Sequence, residues 1–129
     1  MRVFVLLIII LSALCAPALG QTCSVPSFTQ PPVYPAGADI RSVATADFDG
    51  DGRPDLAVAN ADASTVTVVL KAGTGKPGIV NDYPVGTFPL GVAAGDFTGD
   101  GKPDIVSVSN SNGTISLLRN NGSGAFTAG

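Results

Sequence analysis

Shifted by 49 residues, this chain falls on itself without a gap. The strongest match is a nine-residue stretch: DFDGDGRPD, Asp47 to Asp55, lies on DFTGDGKPD, Asp96 to Asp104. Around it Tyr34-Pro35-x-Gly37 meets Tyr83-Pro84-x-Gly86, Val43-Ala44 meets Val92-Ala93, Thr65 meets Thr114, and Gly73-x-Gly75 meets Gly122-x-Gly124. A period of about 20–50 residues restricts a chain to a solenoid, a propeller or an array, because one such unit cannot bury its apolar face alone. Two periods are present, 33–81 and 82–129, after a lead-in segment, 21–32.

The content of each period decides among these architectures. Ser42–Phe48 and Val92–Phe97 are short runs of apolar and small residues that end at the Asp-rich stretch, and Leu56–Ala59 and Ile105–Val108 begin just after it. Thr65–Val68 and Thr114–Leu117 alternate polar and apolar. Alternation with period two, punctuated by Gly, Pro, Asn and Asp, predicts strands. Asn112-Gly113 is a hairpin signal between two of them. Gly73-Thr74-Gly75-Lys76 lacks the spacing of a phosphate loop and reads as another turn. Each period is therefore expected to form three or four short antiparallel strands, one propeller blade. The predicted fold is all-β: two tandem β-propeller blades of antiparallel strands, an incomplete propeller, after an N-terminal signal peptide. A ring takes about four to eight blades, so further repeats or self-association are expected to cover the open blade face.

Seven of the ten Asp residues lie in the two nine-residue stretches. In the first, Asp47, Asp49, Asp51 and Asp55 hold positions 1, 3, 5 and 9, with Gly52 at 6 and Arg53 at 7. Carboxylates at 1, 3 and 5 of a tight loop converge on one point, glycine at 6 permits the turn, and the backbone carbonyl at 7 adds an oxygen. The second loop offers Asp96, Thr98, Asp100, Lys102 (by its carbonyl) and Asp104, one charge fewer, and is expected to bind more weakly. All-oxygen donors favour Ca²⁺ over zinc or copper, and Mg²⁺ rarely takes an all-protein cage. Asp and Gly are also good turn residues, which explains one Asp-Gly pair better than the same spacing twice. An EF-hand needs Glu at position 12, where Val58 and Ser107 stand, and helices on both flanks. Asp39, Asp62 and Asp82 lie apart and read as solvated turn residues, and Tyr34 and Tyr83 as packing residues.

Residues 1–20 are of a different kind. Arg2 precedes an unbroken apolar run, Val3–Leu11, and Ala18-Leu19-Gly20 supplies small residues for cleavage after Gly20. That is the pattern of a secretory signal peptide. It is too short for the roughly 20 apolar residues of a spanning helix, so the product is expected to be secreted or at the cell surface and not membrane-spanning. Residues 21–129 contain no His, no Glu and no Trp, and acids outnumber bases. A nucleic-acid surface has no positive charge to build it, and catalysis by a His base has no residue to use. With Cys15 removed, Cys23 has no partner in the chain and is a free thiol or pairs with another chain.

On DFDGDGRPDLAVAN, DFTGDGKPDIVSV, the upstream Tyr-Pro-x-Gly and the downstream TVTVVL, the chain resembles the FG-GAP/VCBS repeats of integrin α-subunit propellers and many secreted bacterial proteins. The resemblance covers about residues 28 to 129. It implies calcium ligands at Asp47, Asp49, Asp51, Arg53 (carbonyl) and Asp55, and at Asp96, Thr98, Asp100, Lys102 and Asp104. The Phe-Gly and Gly-Ala-Pro tripeptides of the integrin version are absent, so the bacterial type is the nearer match. The expected product is a non-enzymatic, calcium-binding module for adhesion or for a protein or carbohydrate ligand. The alternative is a fragment or accessory scaffold of a secreted polysaccharide-active enzyme.

Overall fold

The computed structural model describes residues 33–71, 78–111 and 113–129. The expected signal peptide, the lead-in segment with Cys23, the Gly73–Lys76 turn and Asn112 lie outside the described residues. Eight strands occur in chain order: β1 (Ile40–Ala46), β2 (Asp55–Asn60), β3 (Thr65–Val69), β4 (Val80–Pro84), β5 (Pro89–Gly95), β6 (Asp104–Ser109), β7 (Thr114–Asn120) and β8 (Phe126–Ala128). They form two four-stranded antiparallel sheets, β1-β2-β3-β4 and β5-β6-β7-β8. No helix occurs among the described residues, and none there is long and apolar enough to cross a membrane. The all-β reading and the two tandem blade-like sheets are thus found, and the two sheets do not close a ring.

The two sheets repeat each other in detail. Both first strands carry a register shift, between Ile40 and Ser42 and between Pro89 and Gly91. Each comes just after a residue with positive φ, Asp39 and Phe88, whose carbonyl accepts the amide of Ala61 or Asn110. The bulge bends the strand and locally strengthens its twist, so both sheets enter with the same curvature. The fourth strands were the least visible in the sequence. β4 reads Val-Asn-Asp-Tyr-Pro, without alternation, and ends on a proline that only an edge or strand end tolerates. It spans the 81/82 junction of the sequence period: Tyr83-Pro84, which opens the second period, pairs with Val66 and Thr65 and completes the first sheet.

The sheets pack face to face. Ala57, Val66 and Val68 of the first meet Ile105, Leu118 and Phe126 of the second, with Phe48 and Leu70 completing a buried cluster. Phe126 takes Phe48 and Tyr83 edge-on, both at 5.3 Å between ring centroids, a preferred arrangement for aromatic quadrupoles. Phe48 and Phe97 hold the same position in the two repeats, yet Phe48 is 0% exposed and Phe97 51%. The second sheet covers the first ring, and no sheet among the described residues covers the second. The outward face of the second sheet accordingly presents Ala93, Val106, Val108, Ile115 and Leu117, aligned across β5, β6 and β7.

Candidate metal centre

The nine-residue stretches connect the first two strands of each sheet. Eight residues between Ala46 and Asp55 make a long hairpin connection, since most span about two to five residues. The carboxylates hold it together. Asp47 Oδ1 accepts the amides of Gly50 (2.7 Å) and Asp51 (3.1 Å), and its Oδ2 accepts that of Gly52 (2.8 Å). Asp49 accepts from Asp51 N, and Asp51 from Arg53 N. The second loop repeats the arrangement: Asp96 accepts from Gly99, Asp100 and Gly101, and Asp100 from Lys102. Gly50, Gly52, Gly99 and Gly101 all have φ between 75° and 82°. A Cβ on Gly52 or Gly101 would meet nothing within 4 Å, so the requirement for glycine there is conformational.

The ninth residue reaches further. Asp55 is wholly buried at the start of β2, where its two oxygens accept Phe48 N (2.8 Å) and Lys71 N (2.7 Å). Asp104 does the same for Phe97, Thr98 and Asn120. This carboxylate stitches the β1–β2 loop to the end of β3, and its counterpart stitches β5–β6 to β7. Burial pushes the Asp55 carboxyl above the ordinary carboxylate value of 3.8, against the two amides that lower it, and the nearby charges of Asp49 and Asp51 raise it further.

Asp47, Asp49 and Asp55 each offer one oxygen, and the three lie within 4.8 Å of one another. Among the described residues no second group of three acids closes in this way. Asp51 is exposed and turned to the Arg53 amide, and Arg53 brings its carbonyl from the same turn. In the second loop Lys102 Nζ stands 3.3 Å from Asp100 Oδ2. The Asp100 carboxyl is held below its ordinary value, first by the Lys102 amide and then by the lysine side chain. One loop thus gathers like charges and the other spends one of its acids on an ammonium.

Each pair of carboxylates at 4.8 Å repels by roughly 3 to 4 kcal/mol at an effective dielectric of about 20. A hard divalent cation with oxygen ligands removes that repulsion. The donor set fits such an ion: three acids from one loop, each already oriented by backbone amides.

Three residues outside the loops have roles that the repeat pattern did not reveal. Asn120 Nδ2 donates to the Phe48 carbonyl (2.9 Å) and the Pro103 carbonyl (3.0 Å), tying the second sheet to the first loop. Its counterpart in the first repeat is Lys71, so comparing the repeats could not expose it. Asp82, expected in a solvated turn, stands in β4 and accepts the Thr67 hydroxyl across the strand pair. Asp39, likewise expected to be solvated, pairs with Arg41 at 2.8 Å, and the Arg41 guanidinium also lies over the Phe88 ring.

No curated protein matches the chain. The FG-GAP-like repeat family model matches residues 25–58, 47–107 and 96–129, and its successive matches overlap at the two aspartate loops. Those matches reach from residue 25 to the last residue, over both sheets and both loops, and the chain belongs to the FG-GAP-like repeat family.

Proposed function

We infer that this chain is a secreted, calcium-stabilised binding module that serves adhesion or holds a protein or carbohydrate ligand, without catalysis of its own. The observation that carries the reading is the convergence of Asp47, Asp49 and Asp55 within 4.8 Å, with Asp55 buried and raised toward its neutral form by that burial. A charge so placed destabilises the fold unless a cation answers it. Asp47, Asp49 and Asp55 would hold the ion, with Asp51 and the Arg53 carbonyl from the same turn; Asp96, Thr98, Asp100, Lys102 and Asp104 would form a weaker site. The ion supplies charge neutralisation and rigidity at the β1–β2 corner, which leaves recognition to the exposed loops. The apolar run at Val3–Leu11 and the small residues before Gln21 support export. The absence of His and Glu, with seven of ten Asp engaged in the loops, supports a non-enzymatic role.

Titration calorimetry with calcium, paired with melting curves in calcium and in chelator, tests this. Heat of binding, with a melting transition raised by calcium and lowered by chelator, is the expected result. Identical curves in both conditions would remove the metal from the proposal.

A further inference from the structure

We propose that the outer edge of β7 takes an added strand, Val33-Tyr34-Pro35 of a second copy of this chain. β8 pairs with β7 only at Leu118, Arg119 and Asn120, whereas β4 pairs with β3 along its whole length, Thr65–Val69. On that side of β7 no strand among the described residues pairs with Ile115 or Ser116. The Leu117 carbonyl turns to the same edge, where it accepts the Gly129 amide. Residues two apart in a strand turn their N–H and C=O the same way, so both backbone groups of Ile115 face the edge as well. Such an edge is a template for an extended segment. Ile115 is 71% exposed beside it, while Val66, its counterpart, is 0% exposed next to Tyr83 of β4.

The occupant follows from the repeat. In the first sheet the equivalent edge is covered by Asp82-Tyr83-Pro84, which pair with Thr67, Val66 and Thr65. One period earlier these residues are Val33-Tyr34-Pro35. They belong to neither sheet, and Val33 is 79% exposed. Carried over, the register of β4 sets Tyr34 opposite Ile115. The two backbones then exchange N–H···O bonds, and the tyrosine ring lies beside the isoleucine on the outward face. Pro35 falls where β4 already accommodates Pro84. Pro32, just before, has no amide hydrogen to extend the ladder, and the Leu117 carbonyl it would face is already satisfied by Gly129. Arg119, on the same face, pairs with Thr127 of β8, beyond the open positions.

The chain cannot donate this segment to itself. Five residues after Pro84 it enters β5, in the sheet stacked on the face that carries Val66; five residues after Pro35 it enters β1. The matching face of the second sheet carries Ile115 and points outward, whereas its own first sheet covers the opposite face, at Ile105 and Leu118. The connection is already set for a neighbour. Asp39 and Phe88 offer their carbonyls to the equivalent amides of Ala61 and Asn110. A Cβ on Gly37 would strike Asn60, and one on Gly86 would strike Ser109, again equivalent residues. Residues 37–40 therefore run over the first sheet as 86–89 run over the second. The donor's first sheet then stacks on the acceptor's second through its outer face, where Val43 and Val80 are 53% and 36% exposed. The contact is head to tail. With two sheets per copy, a ring of about four to eight sheets takes roughly two to four copies.

The donation is independent of the calcium reading and is tested separately. Val33 falls opposite Ser116 in a pair without mutual backbone bonds, with Cα atoms about 4.5 Å apart, within reach of a disulfide. Full chains with Cys15 and Cys23 replaced by Ser, one carrying Val33→Cys and the other Ser116→Cys, are mixed and oxidised. A covalent dimer with one chain of each kind is expected; Val33→Cys mixed with Ser123→Cys, on the exposed β7–β8 turn, should give none. Sedimentation velocity of the full chain should show oligomers at micromolar concentration. Tyr34→Pro removes the donated N–H from a segment outside both sheets, and Ile115→Pro removes the N–H of the edge that receives it. Each should weaken association by about tenfold or more. Circular dichroism should retain the β signal; if Ile115→Pro unfolds, Tyr34→Pro still reports. A chain that stays monomeric overturns the proposal. So does association indifferent to the proline variants that fold, or a disulfide that forms equally well with Ser123→Cys.

Discussion

Asp55 carries its charge out of reach of water, between two backbone amides and two other acids. Replacing it by Asn presents an N–H₂ to one of those amides and leaves a buried donor unsatisfied, a loss of about 1–3 kcal/mol. Denaturant unfolding of Asp55→Asn in chelator reads that cost apart from any metal effect. The raised carboxyl also sets a pH dependence. The folded chain holds the Asp55 proton more tightly than the unfolded chain does, so the stability this group contributes is fully present below its ordinary value of 3.8 and is lost as pH rises through the raised value. In chelator, wild type should therefore lose stability relative to Asp55→Asn as pH rises through that window; a constant difference would count against it. Two glycines respond to the same substitution for different reasons. Gly52→Ala has room but φ of +80°, and should cost about 1–2 kcal/mol in backbone strain. Gly86→Ala would press its Cβ on Ser109 Oγ and Thr114 Oγ1, an overpacking cost of about 1–3 kcal/mol. For calcium, Asp49→Ala should weaken the first loop, while Thr98→Asp should strengthen the second by restoring the missing acid; calorimetry resolves both.

The strands show where local pattern suffices and where it does not. β2, β3, β6 and β7 stand where alternation and short apolar runs placed them, extended by one to three residues. β4 escaped that pattern, because Val80-Asn81-Asp82-Tyr83-Pro84 pairs with β3 through its backbone and brings only Tyr83 to the core. β8 is three residues long and offers Phe126 alone. Equal residues in equal strand-turn units also differ in worth. Phe48→Ala removes a ring packed against Phe126 and should destabilise by about 3–5 kcal/mol. Phe97→Ala removes a half-exposed one and should cost well under half as much. Denaturant midpoints of the two variants, at constant slope, check the ratio.

For the molecule as a whole, the two sheets share one core, so an ion at the first loop acts on everything behind Phe48. Saturation at about a hundred times the dissociation constant adds about 2.7 kcal/mol. For a domain of roughly a hundred residues that shifts the melting temperature by some 4–8 °C per kcal/mol. Calcium should raise the single transition of the paired sheets by ten degrees or more. Two separate transitions, only one of them moved by calcium, would show that the sheets do not share a core.

Sequence alone was enough for the repeat, its period, the strand positions beside the loops and the crowding of acids in those loops, because these depend on residues close in the chain: alternation, turn glycines and acids spaced two apart. It also determined which side chains share a face. Whether a face is covered was decided only in three dimensions. Val66 and Ile115 hold the same position in equivalent strands of the two repeats, one in the core and one in the open. Asp47, Asp49 and Asp55 close on a point while Asp100 turns to Lys102. Burial and charge pairing are set by what packs alongside, and a one-dimensional period carries no record of its neighbour.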